Sequence, residues 1–367
     1  MRKPLHERRA VCGPHLRQAG VAAALTVLMA ILLASPARAD TSPAPSPSKA
    51  HDAAVKMGPG VNILGYDGLW KGQVNAPFKI SYFKRIREAG FRHVRINLHA
   101  FKYMDDRGLL DEKVLNRLDY VIYEAVRAGL IPVLDEHDFR ACQADPEACA
   151  AKLEAFWTQI SERFAGRYPS LIFELLNEPG GKMPQEVWNA LALDLLVIVR
   201  RSNPERTVII AALNSGDIED LGLLELPKDD RNIILTVHYY SPMAFTHQGA
   251  SWSRHADGRN VPWGSAEDRR KVRDDFARMD QLAKAKGRPV YLGEFGVYDA
   301  ARMDDRARYL SFLARQAEAY GWPWAYWQFD HDFAVFDSKS EQWVEPVLSA
   351  LLPGAAQASS AVGVAND

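Results

Sequence analysis

The chain has 367 residues, of which 47% are hydrophobic and 25% are charged. This composition is typical of a globular protein, and the length allows one large α/β domain or two smaller ones. Residues 1–39 contain six basic residues and one acidic residue, so the rest of the chain has 39 basic and 45 acidic residues and a formal charge of −6. That charge argues against nucleic acid or an anionic membrane as a partner and favours a neutral ligand.

The first 39 residues have the pattern of a secretory signal peptide. Basic residues precede a charge-free run at 18–37, and the run leads into Ala37-Arg38-Ala39, which resembles a small-x-small cleavage site. The run is also just long enough to span a bilayer as an uncleaved anchor. We predict cleavage, and therefore an exported protein, periplasmic or extracellular, without a membrane attachment.

Two low-complexity segments flank the part of the chain that is predicted to fold. Residues 40–55 include the proline- and serine-rich stretch 41–48 and are predicted to form a linker. Residues 354–367 are small and polar and are predicted to form a flexible tail. The segment between them, residues 56–353, is predicted to be a single domain.

Short apolar runs recur through this segment, and a longer stretch follows each of them. We interpret these runs as eight strands, at residues 61–64, 94–98, 131–134, 171–173, 208–210, 233–237, 290–292 and 324–327. Apolar residues three and four positions apart predict helices between them, two of which end in glycine. The predicted helices are residues 82–90, 115–129, 151–165, 185–201, 269–286 and 304–320.

This alternation predicts an α/β fold, a (β/α)8 TIM barrel. The distance from Val61 to Leu352 is 292 residues, about 36 for each strand–helix unit, which is within the usual size of such a barrel. The main alternative is a doubly wound open sheet. That fold would be expected to have a glycine-rich phosphate loop after the first strand, and the stretch from Gly60 to Gly65 matches it poorly.

The fourth predicted strand ends in Asn177-Glu178-Pro179. Pro179 has no N–H and disfavours helical geometry at the residue before it, so the chain must leave the strand there. Glu178 is therefore placed at the carboxyl end of the strand, the edge where barrels of this type carry their catalytic groups.

Glu294 is the second carboxylate of interest, because it ends the seventh predicted strand 116 residues after Glu178. Gly293 and Gly296 leave room around it for a ligand. Two carboxylates that face one cavity are what glycoside hydrolysis requires. Either glutamate alone is more simply a surface acid, but two of them at strand ends favour a catalytic pair.

Other polar residues fall at the same ends of the strands. Arg95 lies inside an apolar run and should meet a carboxylate, because an unpaired buried cation is costly. His238 and Tyr240 share one face of the sixth strand. His137 follows the third strand within an acidic cluster at 135–138, which could instead bind a metal, although three ligands with suitable spacing are not evident.

The remaining candidates are tryptophans that could bind a sugar and two cysteines that could form a disulfide. Trp327 ends the eighth strand and either packs in the core or offers a flat face to a sugar. The same two interpretations apply to Trp70, Trp252 and Trp263. Cys142 and Cys149 are predicted to form a loop-closing disulfide in an oxidising compartment, the alternative being two free thiols.

These positions resemble glycoside hydrolase family 5, a large family of cellulases, mannanases and relatives on a (β/α)8 barrel. The resemblance extends from about Gly60 to Leu352. It implies that Glu178, which follows Asn177, is the acid/base residue and that Glu294 is the nucleophile. The family's supporting cleft residues match Arg95, His137, His238, Tyr240 and Trp327.

The run 238–252 is similar to a bacterial endoglucanase branch of that family, in which the position of Trp252 borders the substrate cleft. This chain has His137-Asp138 where the branch often has paired histidines, and Gly180-Gly181 where a histidine often follows Asn-Glu-Pro. The inserted loop 142–149 is expected to reshape the same rim. These departures leave the fine substrate preference open.

The resemblance implies an exported endo-β-1,4-glucanase that retains the anomeric configuration. Glu178 would protonate the glycosidic oxygen, Glu294 would attack the anomeric carbon, and Glu178 would then serve as base for water. This role requires Glu178 to be protonated and Glu294 to be ionised near neutral pH. Asn177 would bond the 2-hydroxyl of the sugar. We expect a β-glucan as the partner, a monomer, and no metal or organic cofactor.

Three other interpretations remain open. A β-mannanase, or a mixed specificity for glucan, mannan and xyloglucan, would use the same barrel with different cleft loops. A barrel that binds carbohydrate without catalysis is disfavoured because both glutamates are present. A metal-dependent hydrolase would be sensitive to a chelator.

Overall fold

The computed structural model describes residues 48–214 and 218–354. The predicted signal peptide, the first half of the predicted linker and all but the first residue of the predicted tail lie outside these residues. Within the described part, eight parallel strands close into a barrel in chain order, which confirms the predicted (β/α)8 fold. The strands are β1 (Pro59–Ile63), β2 (His93–Leu98), β3 (Ile131–Glu136), β4 (Ile172–Glu174), β5 (Val208–Ala211), β6 (Ile233–His238), β7 (Val290–Phe295) and β8 (Trp324–Tyr326).

Helices surround the barrel, and the six predicted ones are all present. They are α1 (Lys49–Met57), α2 (Tyr82–Glu88), α3 (Glu112–Arg127), α4 (Phe139–Ala144), α5 (Pro146–Arg163), α6 (Gln185–Ser202), α7 (Asp220–Leu223), α8 (Met243–Thr246), α9 (Ala266–Lys286), α10 (Met303–Ala319) and α11 (Glu345–Leu351). A short antiparallel pair, β9 (Phe336–Asp337) and β10 (Gln342–Trp343), follows β8. None of the helices in the described residues is both long and apolar enough to cross a bilayer.

Local sequence explains where the long helices begin and end. The side chain of Asp111 caps α3 by accepting a hydrogen bond from the N–H of Lys113 at 2.7 Å. Ser265 and Asp268 form a reciprocal capping box at the start of α9, and Gly287, with φ of 61°, ends that helix. The helices pack on the outward side chains of the barrel. Trp157 of α5, for example, packs on Phe173 of β4, with ring centroids 5.1 Å apart.

Helix α1 differs from the expectation, because the linker was predicted to extend to residue 55. The helix occupies Lys49–Met57, and Ser48 caps its first turn. Ala50, Ala54 and Met57 are buried on one face of it, at a spacing of four and three residues. Three buried side chains in a segment of nine residues give little sequence signal, and their burial becomes evident only when the barrel is present.

The buried face of α1 closes the amino-terminal end of the barrel. It packs against a layer of inward-facing side chains from β3 to β8, namely Val133, Ile172, Ile209, Ile234, Tyr291 and Ala325. The folded domain therefore includes residues before position 56. The opposite, carboxyl end of the barrel is polar and open.

Candidate active site

Glu178 and Glu294 lie at the same mouth of the barrel. Glu294 is on β7, and Glu178 is in the loop that follows β4. Carboxylate oxygens of these two residues and a ring nitrogen of His238 all lie within 4.8 Å of one another. The two glutamates therefore face one cavity from strands three steps apart in the barrel, as their spacing in the sequence predicted.

Arg95 is the buried centre of the site. Its guanidinium donates two hydrogen bonds to Glu174, from Nε at 2.7 Å and from Nη2 at 2.9 Å. Nη1 donates to Glu294 at 2.7 Å, and Nη2 donates to the side-chain oxygen of Asn177 at 2.8 Å. Its partners include Asp135, whose carboxylate lies 3.1 Å from Nη2. A fully buried arginine is thus paired as its place in an apolar run required.

Glu294 is held by two donors. Besides Arg95, the hydroxyl of Tyr240 donates to the second carboxylate oxygen at 2.9 Å. Burial raises the pKa of Tyr240 well above its usual value, and the nearby charges of Glu294 and Glu178 raise it further. Tyr240 therefore keeps its proton and acts as a donor over the whole working range of pH.

Glu178 and His238 form a hydrogen-bonded pair, with 2.9 Å between Glu178 Oε1 and His238 Nδ1. Partial burial raises the pKa of Glu178, but the hydrogen bond and charge of His238, with smaller contributions from His137 and Arg95, lower it overall. Burial lowers the pKa of His238, but the charge of Glu294 and the bond to Glu178 outweigh it and raise the pKa. Both pKa shifts favour the proton on His238 over Glu178, whereas the expected acid role requires it on Glu178.

His137 forms one wall of the cavity together with Trp327. The two rings are stacked, with centroids 5.6 Å apart and planes 8° apart. Nδ1 of His137 lies 2.5 Å from Asp135 Oδ2, which orients the ring. Burial lowers the pKa of His137 well below its usual value, and the charge of Arg95 lowers it further. Burial also raises the pKa of Asp135 to about 6, although Arg95 opposes that shift.

The acidic cluster at 135–138 does not assemble as a metal site. Asp135 is directed to Arg95 and His137, whereas Glu136 accepts a hydrogen bond from the N–H of Asp138 at 3.2 Å. In the described residues, the group with metal-ligand spacing is Glu178, His238 and Glu294. All three of these side chains belong to the hydrogen-bonded pairs described above.

Two adjoining cavities open beside the carboxylate pair. The smaller, about 580 Å³, has aromatic walls that include Tyr66, Phe139, Trp252, Trp327 and Phe333. The larger, about 980 Å³, is lined mainly by polar and charged residues, among them Gln143, Asn214, Arg254, Lys271 and Asp275. Glu178 borders both cavities, so an extended ligand lying across the mouth would pass the glutamates.

Of the remaining tryptophans considered in the sequence, one lies at the rim of the cavity and two lie in the hydrophobic core. Trp252 is 55% exposed and lines the smaller cavity. Trp70 and Trp263 are buried, and Trp70 donates from its ring N–H to the carbonyl of Leu64 at 2.8 Å. Cys142 and Cys149 are joined in a disulfide that links α4 to α5.

Several residues of the site were not among the sequence candidates. Glu174 pairs with Arg95, and Asn62 accepts a further bond from Arg95 at 3.0 Å. Asp135 had been considered only as part of a possible metal site, not as a partner of Arg95. Tyr66 and Phe139 contribute to the aromatic walls. A signal for Glu174 existed, because it lies two residues after Ile172 on the same inward face of a short strand.

Comparison with known proteins identifies a family with which this chain shares most of its length. The family model described as cellulase (glycosyl hydrolase family 5) matches residues 54–332. Endoglucanase H of Acetivibrio thermocellus is 28% identical over 335 residues, which cover 86% of this chain and 35% of that protein. This chain thus spans about a third of the length of that relative.

Two solved structures extend this comparison. Cel5A of Thermotoga maritima, crystallised with mannotriose, has a TM-score of 0.78 and 34% identity, covering 82% of this chain and 99% of its own. The same protein has also been solved with cellobiose. Cellulose synthase subunit Z of Clostridioides difficile has a TM-score of 0.76 and 30% identity, covering 81% of this chain and 100% of its own.

Proposed function

Because this chain belongs to glycosyl hydrolase family 5, the cellulase family, we propose that it is an exported endo-β-1,4-glucanase that hydrolyses β-glucans with retention. The observation that carries this proposal is the proximity of the two carboxylates, whose oxygens lie within 4.8 Å of each other. Retaining glycosidases hold their carboxyl groups about 5–5.5 Å apart, whereas inverting ones leave room for a water molecule between them.

The first step of the proposed reaction forms a glycosyl-enzyme intermediate. The carboxylate of Glu294 attacks the anomeric carbon, and the bond from that carbon to the leaving oxygen breaks as Glu178 protonates the oxygen. Arg95 and Tyr240 hold Glu294 at both carboxylate oxygens, so its attack direction is set before the substrate arrives.

The second step releases the sugar. Glu178, now ionised, accepts a proton from water as the water attacks the anomeric carbon and displaces Glu294. The directions of the two pKa shifts favour His238 as the holder of the shared proton in the free site, and the 2.9 Å bond to Glu178 would provide the transfer path. A glycosidic oxygen bound next to Glu178 and the exclusion of water would favour return of that proton to the carboxyl group.

Asn177 is suited to bind the substrate beside the reacting carbon. Its side-chain oxygen accepts from Arg95, and the residue lines the smaller cavity, so its N–H2 group is available to a ligand there. We propose that this group donates to the 2-hydroxyl of the sugar, a contact that strengthens in the transition state. The stacked Trp327 would receive the C–H face of the same sugar.

A mixed glucan and mannan specificity is the second candidate. The observation that favours it is the likeness to Cel5A of Thermotoga maritima, whose structures were solved with mannotriose and with cellobiose. Product profiles on carboxymethylcellulose, lichenan, xyloglucan and glucomannan, run side by side, would separate the two candidates. Comparable cleavage of glucomannan and lichenan would favour the mixed specificity.

Replacement of the nucleophile tests the proposed reaction. Glu294→Ala should lose about 10⁵-fold or more in kcat, since nucleophilic attack is removed, but should still bind oligosaccharide. NMR of the first product should show the β-anomer in the wild-type reaction. Appearance of the α-anomer first would contradict retention, and an active Glu294→Ala variant would remove this residue from the mechanism.

Two further measurements address the rival functions. A barrel that only binds carbohydrate would release no reducing sugar from β-glucan. A metal-dependent hydrolase would lose activity in the presence of a chelator, whereas the proposed reaction should be unaffected.

A further inference from the structure

The loop that carries Glu178 has an unusual backbone conformation at that residue. Glu178 has φ of 38°, in the left-handed region that residues other than glycine seldom adopt. Such a conformation is strained and persists only where the surroundings hold it. The contacts that hold this loop therefore also determine where the carboxyl group of Glu178 lies.

Gln143 contacts this loop through both its side chain and its main chain. The side-chain N–H2 group of Gln143 donates to the carbonyl of Glu178 at 3.0 Å, and the carbonyl of Gln143 accepts from the N–H of Lys182 at 2.9 Å. Gly181, with φ of 66°, lies so close that a Cβ there would be 2.6 Å from Cβ of Gln143. Gln143 thus fixes both ends of the segment 178–182.

The position of Gln143 is in turn fixed by the disulfide. Gln143 lies on α4, a helix of only six residues, directly after the buried Cys142. The bond from Cys142 to Cys149 ties α4 to α5, which is anchored in the core. Trp157 of α5, for example, is buried and donates to the carbonyl of Leu175 at 2.9 Å.

The other side of the loop is held by Asn214, in the turn that follows β5. The N–H of Asn214 donates to the carbonyl of Pro179 at 2.7 Å, and a Cβ on Gly180 would be 2.7 Å from the side-chain oxygen of Asn214. The segment 178–182 is therefore held by contacts with Asn214 on one side and Gln143 on the other. Loss of either contact leaves the left-handed residue with support on one side only.

We propose that Gln143, held by the Cys142–Cys149 disulfide, is a positioning residue that aims the carboxyl group of Glu178 at the leaving oxygen. This inference rests on the acid/base role of Glu178 proposed above. A displacement of about 1 Å at a proton donor can cost about a hundredfold in rate, so one hydrogen bond to the backbone of Glu178 has a measurable effect.

The test compares two substrates that differ in their need for a proton. The first is cellotetraose, whose leaving group must be protonated, and the second is 2,4-dinitrophenyl β-cellobioside, whose leaving group departs without protonation. Gln143→Ala should lower kcat/KM for cellotetraose about tenfold or more and change kcat/KM for the aryl glycoside about twofold or less. The Tm of the variant shows that it is folded.

Lys182→Ala is the matched control. Lys182 contributes its backbone N–H to the same contact, which alanine retains, and its side chain is exposed. Both substrates should react as with the wild type. The double variant Cys142→Ala/Cys149→Ala should reproduce the selective loss on cellotetraose, and an unchanged ratio of the two kcat/KM values would remove the disulfide from the proposal.

The outcomes for the inference and for the function are separate. An equal fall in both kcat/KM values, or no fall in either, would overturn the positioning role of Gln143 while leaving the glucanase function in place. A wild-type protein that cleaves neither substrate would instead overturn the proposed function.

Discussion

The two ends of the barrel interior are built from the same strands but have opposite chemistry. At the amino-terminal end, Val133 and Ile172 belong to an apolar layer that α1 covers. Two residues further along the same strands stand Asp135 and Glu174, which pair with Arg95. A step of two residues keeps the side chain inside the barrel, so one strand supplies both layers.

The buried histidine near the closed end is neutral and paired. His93 lies 3.1 Å from the carbonyl of Met57 through Nδ1 and 3.1 Å from the hydroxyl of Tyr291 through Nε2. Burial lowers the pKa of His93 to about 4, so it is uncharged at neutral pH. The closed end therefore contributes stability, whereas the open end holds the charged groups that the proposed hydrolysis needs.

The largest expected effect comes from removal of the central charge at the open end. Arg95→Ala leaves the carboxylates of Glu174 and Asp135 buried without their cation, so the free energy of unfolding should fall by about 3–5 kcal/mol. Activity should also be lost, because Glu294 loses a donor. Urea unfolding and a reducing-sugar assay measure both effects. Arg92→Ala, at an exposed position, should change neither, and an active Arg95→Ala enzyme would contradict the proposed network.

At the closed end, a change should affect stability alone. Met57→Ala removes a buried side chain that packs into the apolar layer, so the free energy of unfolding should fall by about 2–4 kcal/mol. The value of kcat per folded molecule should stay the same, because α1 is remote from the mouth. Val55→Ala, at a position 72% exposed, is the matched control. A fall in kcat for folded Met57→Ala would break the division between the two ends.

The pH dependence of activity should follow from the pair of Glu178 and His238. Because the pKa of His238 is raised above its ordinary 6.5 and that of Glu178 is lowered, the pair keeps one proton until the pH passes the raised value. Above it, kcat/KM should fall about tenfold per pH unit, since the proton for the leaving group is gone. A pH profile of kcat/KM measures this limb.

Protonation of His238 also makes the stability of the folded protein depend on pH. A histidine with a raised pKa in the folded state stabilises the protein fully below its unfolded pKa, and this contribution disappears as the pH rises through the folded value. His238→Gln should remove the contribution and move the alkaline limb of kcat/KM, because Glu178 then titrates without its partner. An unmoved limb in this variant would show that another group holds the proton.

The smallest expected effect is at the rim. Trp252→Ala removes an exposed wall of the smaller cavity, so KM should rise by about threefold to tenfold while Tm is unchanged. Trp263→Ala is the contrast, because this buried ring packs on Tyr309 with centroids 5.1 Å apart and should lower Tm instead. An unchanged KM for Trp252→Ala would exclude its ring from substrate binding.

Much of the architecture could be predicted from the sequence, because its signals are local. Each of the eight strands was evident as an apolar run, and glycine marked the ends of helices α2 and α3. Helix α1 could not be predicted in the same way. Its three buried side chains have a partner only in the closed barrel, where β3 to β8 supply one apolar layer together.

The candidate site likewise has features that local sequence predicts and features that depend on tertiary packing. The sequence by itself determined that Glu178 and Glu294 end strands at one edge, because strand ends in a parallel barrel share a side. It also required a carboxylate for Arg95, since a buried cation must be paired. Only the tertiary structure decided that Glu174 and Asp135 are among the partners and that the pKa of His238 is raised while that of Glu178 is lowered. Such pairings depend on distances across the barrel between residues far apart in the chain, and pKa values depend on the resulting burial and charge.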